Sequence, residues 1–187
     1  MAWTSRMTWT WGAAYVLIGF SIVADLALAR RYAGGRAQDG PLWALLSVSL
    51  IGNLVLAIYL SWAGIGRIPD PAAAILAPLG VGLGLAGLWL RYAAIFTLGR
   101  FFTWRVTILD EHSLIESGVF AWLRHPGYVG GLLASYGFIF ALSNWASLLV
   151  FTATYVPLVL HRIRVEERVL TRHFGERYVA YRDKTWF

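Results

Sequence analysis

The feature that most constrains this chain is a series of long apolar runs bounded by basic or helix-breaking residues. Residues 12–29 are apolar apart from Ser21 and Asp25. At about 1.5 Å per residue, such a run is long enough to cross the hydrocarbon core of a bilayer as a helix. Pro41 opens a second run that reaches Ala63, and residues 72–90 form a third. Two shorter runs, 127–142 and 145–160, are separated only by Ser143 and Asn144, which predicts a tight helical hairpin spanning a thin bilayer or entering it part-way. A secretory leader competes for the first run, but Arg30 and Arg31 follow directly where a small-residue cleavage site would stand. The expectation is an all-α integral membrane protein of about five transmembrane helices, the last two a short hairpin.

Composition supports this class. Hydrophobic residues make up 58% of the chain and charged residues 14%, against roughly 25% charged in soluble domains. No linker, low-complexity tract or repeat divides the 187 residues, so residues 1–187 read as a single domain. The chain has no cysteine, which removes disulfides, thiolate nucleophiles, thiolate metal sites and lipidation of its own cysteines. Its net charge of +6 reads as basic loops set against anionic membrane lipid, with no nucleic-acid partner expected.

Polar residues inside the runs are few enough to weigh singly. Asp25 is an intramembrane acid, hence a functional candidate, or else it leans towards Arg30 and Arg31 about one turn away. Asn53 reads as an interhelical hydrogen bond. The string Gly82-Leu-Gly84-Leu-Ala-Gly87 matches a dinucleotide-binding pattern, but it lies inside an apolar helix with no preceding strand and is rejected as one. Gly80 and Gly84 are instead expected to let a neighbouring helix approach closely. Residues 91–124 mix aromatic and charged side chains and read as a binding segment or lid over the bundle. From Arg162 onward, Leu170, Phe174, Tyr178 and Tyr181 recur at helical spacing and predict a C-terminal amphipathic surface helix. With five crossings, fourteen basic residues fall on one side, and Arg6 and Arg67 on the other. The positive-inside rule then puts the N-terminus outside and the polar segments in the cytosol.

Two blocks concentrate the chemistry: Gly118-Val-Phe-Ala-Trp-Leu-Arg-His-Pro-Gly-Tyr-Val-Gly130 and Arg162-Ile-Arg-Val-Glu-Glu167. Pro126 biases His125 towards an extended backbone, so His125 stands at the mouth of the following helix. Arg162 and Glu166, four apart, share one helical face. An interfacial salt-bridge cluster with a capping histidine and a ligand-binding site both satisfy this spacing. No metal site is expected, because His112, His125, His161 and His173 are scattered and no H-E-x-x-H pairing occurs. No G-x-S-x-G elbow supports a hydrolase.

At these residues the chain resembles the isoprenylcysteine carboxyl methyltransferases, integral membrane enzymes that use S-adenosylmethionine. The resemblance covers residues 98–183 through four blocks in order: His112-Ser-Leu-Ile115, the Gly118 to Gly130 block, Arg162-x-x-x-Glu166-Glu167, and Phe174-Gly-Glu-Arg-Tyr-Val-Ala-Tyr181. It places a catalytic and cofactor-binding region over residues 97–187. The three-helix membrane scaffold over 1–96, read from its apolar runs, matches the family only in kind, and the charge distribution puts the cofactor loop in the cytosol. By position, His112, Ser113, Leu114, Ile115, Phe120, His125, Pro126, Gly127 and Tyr128 would line the S-adenosylmethionine pocket. Glu166 would face the cofactor's cationic amino group. Arg162 would bind the substrate, with Arg124 as a second clamp. The family's usual tyrosine is Phe120 here, and an upstream cofactor-contacting glutamine is replaced by Arg105.

The implied activity is methylation of the α-carboxylate of an isoprenylcysteine-like lipidated substrate, either a lipid-tailed small molecule or a prenylated protein. Methylation of another membrane-soluble acceptor, a phospholipid amine or small thiol, is the alternative within the enzyme class. A non-catalytic membrane scaffold is the alternative outside it.

Overall fold

The computed structural model describes residues 3–31, 39–107 and 113–187. Among these residues seven α-helices follow in chain order: α1 (Trp3–Arg31), α2 (Leu42–Ala63), α3 (Ala72–Leu98), α4 (Pro126–Ala141), α5 (Trp145–Thr154), α6 (Val156–Phe174) and α7 (Glu176–Lys184). Short 3-10 turns occupy Gly99–Phe101 and Gly118–Ala121. Among the described residues no strand forms, and only two isolated backbone bridges occur, Arg67 with Asn144 and Leu123 with Trp186.

Among the described residues, four stretches are long and apolar enough to cross a membrane: Trp9–Leu28, Leu42–Ala63, Ala72–Phe101 and Trp145–Phe174. Their outward faces are apolar, with Val16, Val48, Ile51, Leu79 and Trp89 all more than 60% exposed. Such a surface is suited to lipid and costly in water. The three expected spans stand, but α3 continues two turns past residue 90 and carries Arg91 inside the helix. The last apolar run likewise does not stop at residue 160. It passes through a break at Tyr155 into α6, which contains Arg162, so the motif sits on the continuation of a membrane helix. Pro157 explains the break, since its ring removes the amide hydrogen that would continue the ladder. The amphipathic tail is itself divided at Gly175, whose φ of 57° ends α6 and starts α7.

Small residues determine how α3 meets α4. A Cβ built on Gly80 would lie 2.5 Å from the Ala141 amide nitrogen, and one on Gly130 would lie 2.5 Å from that of Arg91. Gly87 stands against Ala134, and Gly137 against Gly84. With lipid on the outside there is little hydrophobic gain in pairing helices, so close backbone packing of this kind supplies the association. Both Gly80 and Gly84 therefore face a neighbouring helix as expected.

Polar contacts fasten the remaining helices. Asn53 Nδ2 donates to Thr154 Oγ1 at 3.0 Å, the interhelical bond expected of it. Asp25 is held by α3: Arg91 Nη2 lies 3.0 Å from Oδ2, and the Tyr92 hydroxyl 3.4 Å from Oδ1. At the opposite end, Asn144 caps α5 by accepting from the Ser147 amide at 2.8 Å while donating to the Ile65 carbonyl at 2.7 Å. The α4–α5 hairpin is thereby tied to the α2–α3 turn.

Candidate active site

The Gly118–Ala121 turn delivers the chain to α4, where Pro126 occupies the first helical turn, a position in which its missing N–H costs nothing. His125 precedes it, 4% exposed, and its carbonyl accepts the Tyr128 and Val129 amides at 3.1 and 3.0 Å. The imidazole Nε2 lies 3.3 Å from Glu167 Oε1 on α6. One turn into α4, the Tyr128 hydroxyl donates to Glu166 Oε2 at 2.6 Å and accepts from Arg162 Nε at 2.7 Å. The two sequence blocks thus meet as one network, with Arg162 and Glu166 joined through a phenol.

Arg162 is 6% exposed and more heavily bonded than its spacing suggested. Its Nη1 donates to Asp39 Oδ2 at 2.8 Å and its Nη2 to the Trp104 carbonyl at 2.6 Å. The Asp39 side chain is wholly buried, and its other oxygen accepts from Arg105 Nε at 2.9 Å. Asp39 went unremarked in the sequence, although it is the one acid between Asp25 and Asp70 and directly precedes Gly40-Pro41 at the mouth of α2.

The C-terminal segment closes the far side. The Arg124 and His125 amides donate to the Phe187 carbonyl at 3.0 and 3.2 Å, and the Trp186 amide donates to the Trp122 carbonyl at 2.9 Å. Arg124 Nη1 donates to the carbonyls of Arg182 and Thr185 at 2.8 and 3.0 Å. Its Nε lies 3.2 Å from Glu167 Oε1 as an ion pair outside hydrogen-bonding geometry. Arg124 is therefore tied to the tail and to Glu167. The Tyr181 hydroxyl donates to the Phe120 carbonyl at 2.7 Å, and burial pushes its pKa up to about 12. Burial also raises that of Tyr178. Both phenols keep their protons at neutral pH.

A cavity of about 870 Å³ runs through this region. Of the expected site residues, Ser113, Leu114, Ile115, Phe120, Arg124, His125, Gly127, Tyr128, Arg162 and Glu166 line it. Pro126 is buried at the head of α4 without lining it, and His112 lies outside the described residues. At its other end the same cavity is walled by apolar side chains of α1, α2 and α3, including Leu17, Leu46, Leu50 and Leu88. Three wall residues carry a buried polar atom with no partner among the described residues: Trp104 Nε1, Thr107 Oγ1 and Tyr178 Oη. A buried donor of this kind is expected to meet a ligand or water. No group of three or more His, Cys, Asp or Glu side chains able to hold a metal comes together among the described residues.

Comparison with known proteins bears on this constellation directly. The model of the isoprenylcysteine carboxyl methyltransferase family matches residues 80–172, from the glycine face of α3 to the end of α6. Just under half of the chain is thus similar to that family. The chain is 35% identical over 108 residues to the protein-S-isoprenylcysteine O-methyltransferase of Saccharomyces cerevisiae, covering 57% of this chain and 45% of the yeast protein. The Xenopus laevis protein of the same name is 37% identical over 111 residues, 58% of this chain and 38% of that one. An Arabidopsis thaliana relative, protein-S-isoprenylcysteine O-methyltransferase B, is 36% identical over 107 residues, 56% of this chain and 54% of that one. The aligned stretch thus spans about half or less of each relative. Within the family-matched segment lie Arg91, Arg105, both halves of the Tyr128–Arg162–Glu166 network, and the α4–α5 hairpin, whereas Asp25, Asp39 and α7 lie outside it.

Proposed function

We propose that this chain transfers a methyl group from S-adenosylmethionine to the α-carboxylate of an isoprenylcysteine-like lipidated acceptor, giving a methyl ester. The observation that carries the proposal is the single cavity joining an apolar chamber among membrane helices to a polar end where Arg162 and Glu166 share Tyr128. A lipid tail suits the first end and a carboxylate the second.

The residues present fit the cofactor. Glu166 has one carboxylate oxygen bonded to Tyr128 and lines the cavity, so it can receive a cationic amino group. Phe120 and the orphaned donors of Trp104, Thr107 and Tyr178 suit an aromatic base and its polar substituents. Ser113 to Ile115, Phe120, His125, Gly127 and Tyr128 form the cofactor side in this reading. When bound, S-adenosylmethionine would supply an electrophilic methyl carbon, with the acceptor's carboxylate oxygen as the nucleophile.

No general base is required, since an α-carboxyl with a pKa of about 3.5 is ionised at neutral pH. The task of the chain is positioning, which is among the larger catalytic contributions. Arg162 holds the acceptor's carboxylate, and its bonds to Tyr128 and the Trp104 carbonyl keep the guanidinium plane fixed while it does so. Arg124 serves the site by holding Glu167, and with it His125, against the C-terminal tail.

The same reading takes α4 as a fifth crossing. Its 16 residues reach about 24 Å at ~1.5 Å per residue, so the bilayer thins or the helix sits within it against α3. Fourteen basic residues then lie on one side, which faces the cytosol by the positive-inside rule, and the polar end of the cavity opens there.

The test is transfer of labelled methyl from S-adenosylmethionine to N-acetyl-S-farnesylcysteine by purified protein in detergent, beside a cofactor-binding titration. Base-labile incorporation is expected. Cofactor binding without ester formation would move the acceptor to a phospholipid amine or small thiol, and absence of binding in folded protein would leave a scaffold.

A further inference from the structure

We infer that Asp39 is an internal counterpart of the acceptor's carboxylate, competing for Arg162 and thereby setting the preference of the site for a free acid over its ester. The inference rests on the function proposed above and adds a specificity-determining residue to it.

The geometry is that of a carboxylate recognised by arginine. The Asp39 carboxylate, fully buried, takes Nη1 of Arg162 on one oxygen and Nε of Arg105 on the other, with the Val106 amide 3.4 Å from Oδ2. A guanidinium has five N–H donors. Arg162 commits one to Tyr128, one to Asp39 and one to the Trp104 carbonyl, so two remain on a side chain that lines the cavity. An incoming carboxylate therefore meets an arginine whose charge is already answered by Asp39.

Arg105 makes this arrangement reversible. It stands in the family-matched segment, is partly exposed, and also donates to the Gly40 carbonyl at 2.7 Å. Two guanidinium groups thus share one aspartate, and Arg105 retains the Asp39 charge when Arg162 is given up to an acceptor. An ionised acid can compete for Arg162 because it forms the same charge-assisted bonds. A methyl ester is neutral and cannot. Once the methyl is transferred, Asp39 regains Nη1 and the ester loses its hold on the polar end. Asp39 lies outside the family-matched segment, at the mouth of α2.

The experiment measures equilibrium binding of N-acetyl-S-farnesylcysteine and of its methyl ester to the full chain in detergent, for wild type, Asp39→Asn and Arg105→Gln. With Asp39→Asn the acid should bind about tenfold more tightly, because a competing charge is removed, and the ester should be unchanged. Arg105→Gln should act in the opposite sense, weakening the acid several-fold by leaving Asp39 wholly to Arg162, again without effect on the ester. If acid and ester shift together, or the acid does not respond, the inference fails. Should Asp39→Asn not fold, Arg105→Gln alone decides by the direction of its shift. Wild-type ester formation with no charge-dependent shift would leave the methyltransferase reading standing alone. Opposite shifts in acid affinity without any ester formation would leave the competition standing and overturn the reaction.

Discussion

Two aspartate–arginine pairs bridge the N-terminal helices to the family-matched segment, and they are built differently. Asp25 meets Arg91 at 3.0 Å with side chains 31% and 22% exposed, on the wall of the apolar chamber, with Tyr92 as its further partner. Asp39 meets Arg162 at 2.8 Å with side chains 0% and 7% exposed, and every group around it is bonded onward, to Arg105, Tyr128, Glu166 and the Trp104 carbonyl. The first pair joins α1 to α3 and neutralises two charges that lipid would penalise. The second is one part of a network, where removing any member takes a partner from other buried groups. Equal chemistry in the two places therefore carries unequal consequences, and position in the network decides them.

The largest effect should come from the centre of that network. Arg162→Ala removes the acceptor's clamp and leaves Asp39 with Arg105 and the Val106 amide. Turnover should fall by about a thousandfold or more, the scale of losing a charge-positioning group. Cofactor affinity should change by no more than about threefold, since on this reading Arg162 touches only the acceptor. Glu166→Ala should reverse the division. Cofactor affinity should weaken by about ten- to a hundredfold, the worth of a charge-assisted contact, as read by titration with S-adenosylmethionine. Equal loss of cofactor affinity in both variants would dissolve the distinction between the two ends of the cavity.

A smaller effect is expected at the other pair. Asp25→Asn keeps the shape and one acceptor for Arg91, so thermal stability in detergent should fall by about 1 kcal/mol, with turnover within about threefold of wild type. Acid-over-ester preference should not move. If Asp25→Asn altered that preference as Asp39→Asn is expected to, the two pairs would be equivalent and the contrast between fastener and competitor would be lost.

How much of this was legible in the sequence follows the same divide. Apolar runs are read by length, so α1, α2 and α3 stood out, as did the Ser143-Asn144 turn, because lipid imposes its thickness on each crossing independently. Local spacing paired Arg162 with Glu166, and small-residue spacing gave the α3 face that meets α4. Helix ends were harder. Arg91 reads as the close of a span, yet α3 continues past it because Asp25 satisfies its charge from another helix. Asp39 was illegible for the same reason: its partners lie 66 and 123 residues along the chain, and no periodicity relates them. The tail posed a third case, since its helical spacing was visible while its docking on His125 is a backbone contact with no side-chain signature.

That docking supplies the smallest effect and the sharpest control on the comparison, because it tests a buried hydroxyl without charge. Tyr181 joins α7 to the Phe120 carbonyl, and Tyr181→Phe keeps the ring while removing a bond of about 1 kcal/mol. Cofactor affinity should weaken only two- to threefold, through looser placement of Phe120, with acid-over-ester preference untouched. The hydroxyl also predicts a pH signature. Its folded pKa is raised to about 12 from an ordinary value near 10, chiefly by burial, so the fold favours the protonated phenol. That stabilisation is complete below about pH 10 and is lost as pH rises through about 12. In thermal melts, wild type should therefore lose stability over that interval more steeply than Tyr181→Phe, the two curves converging at the alkaline end. Parallel curves would mean that the tail is held by its backbone bonds to Arg124 and His125 without help from this phenol.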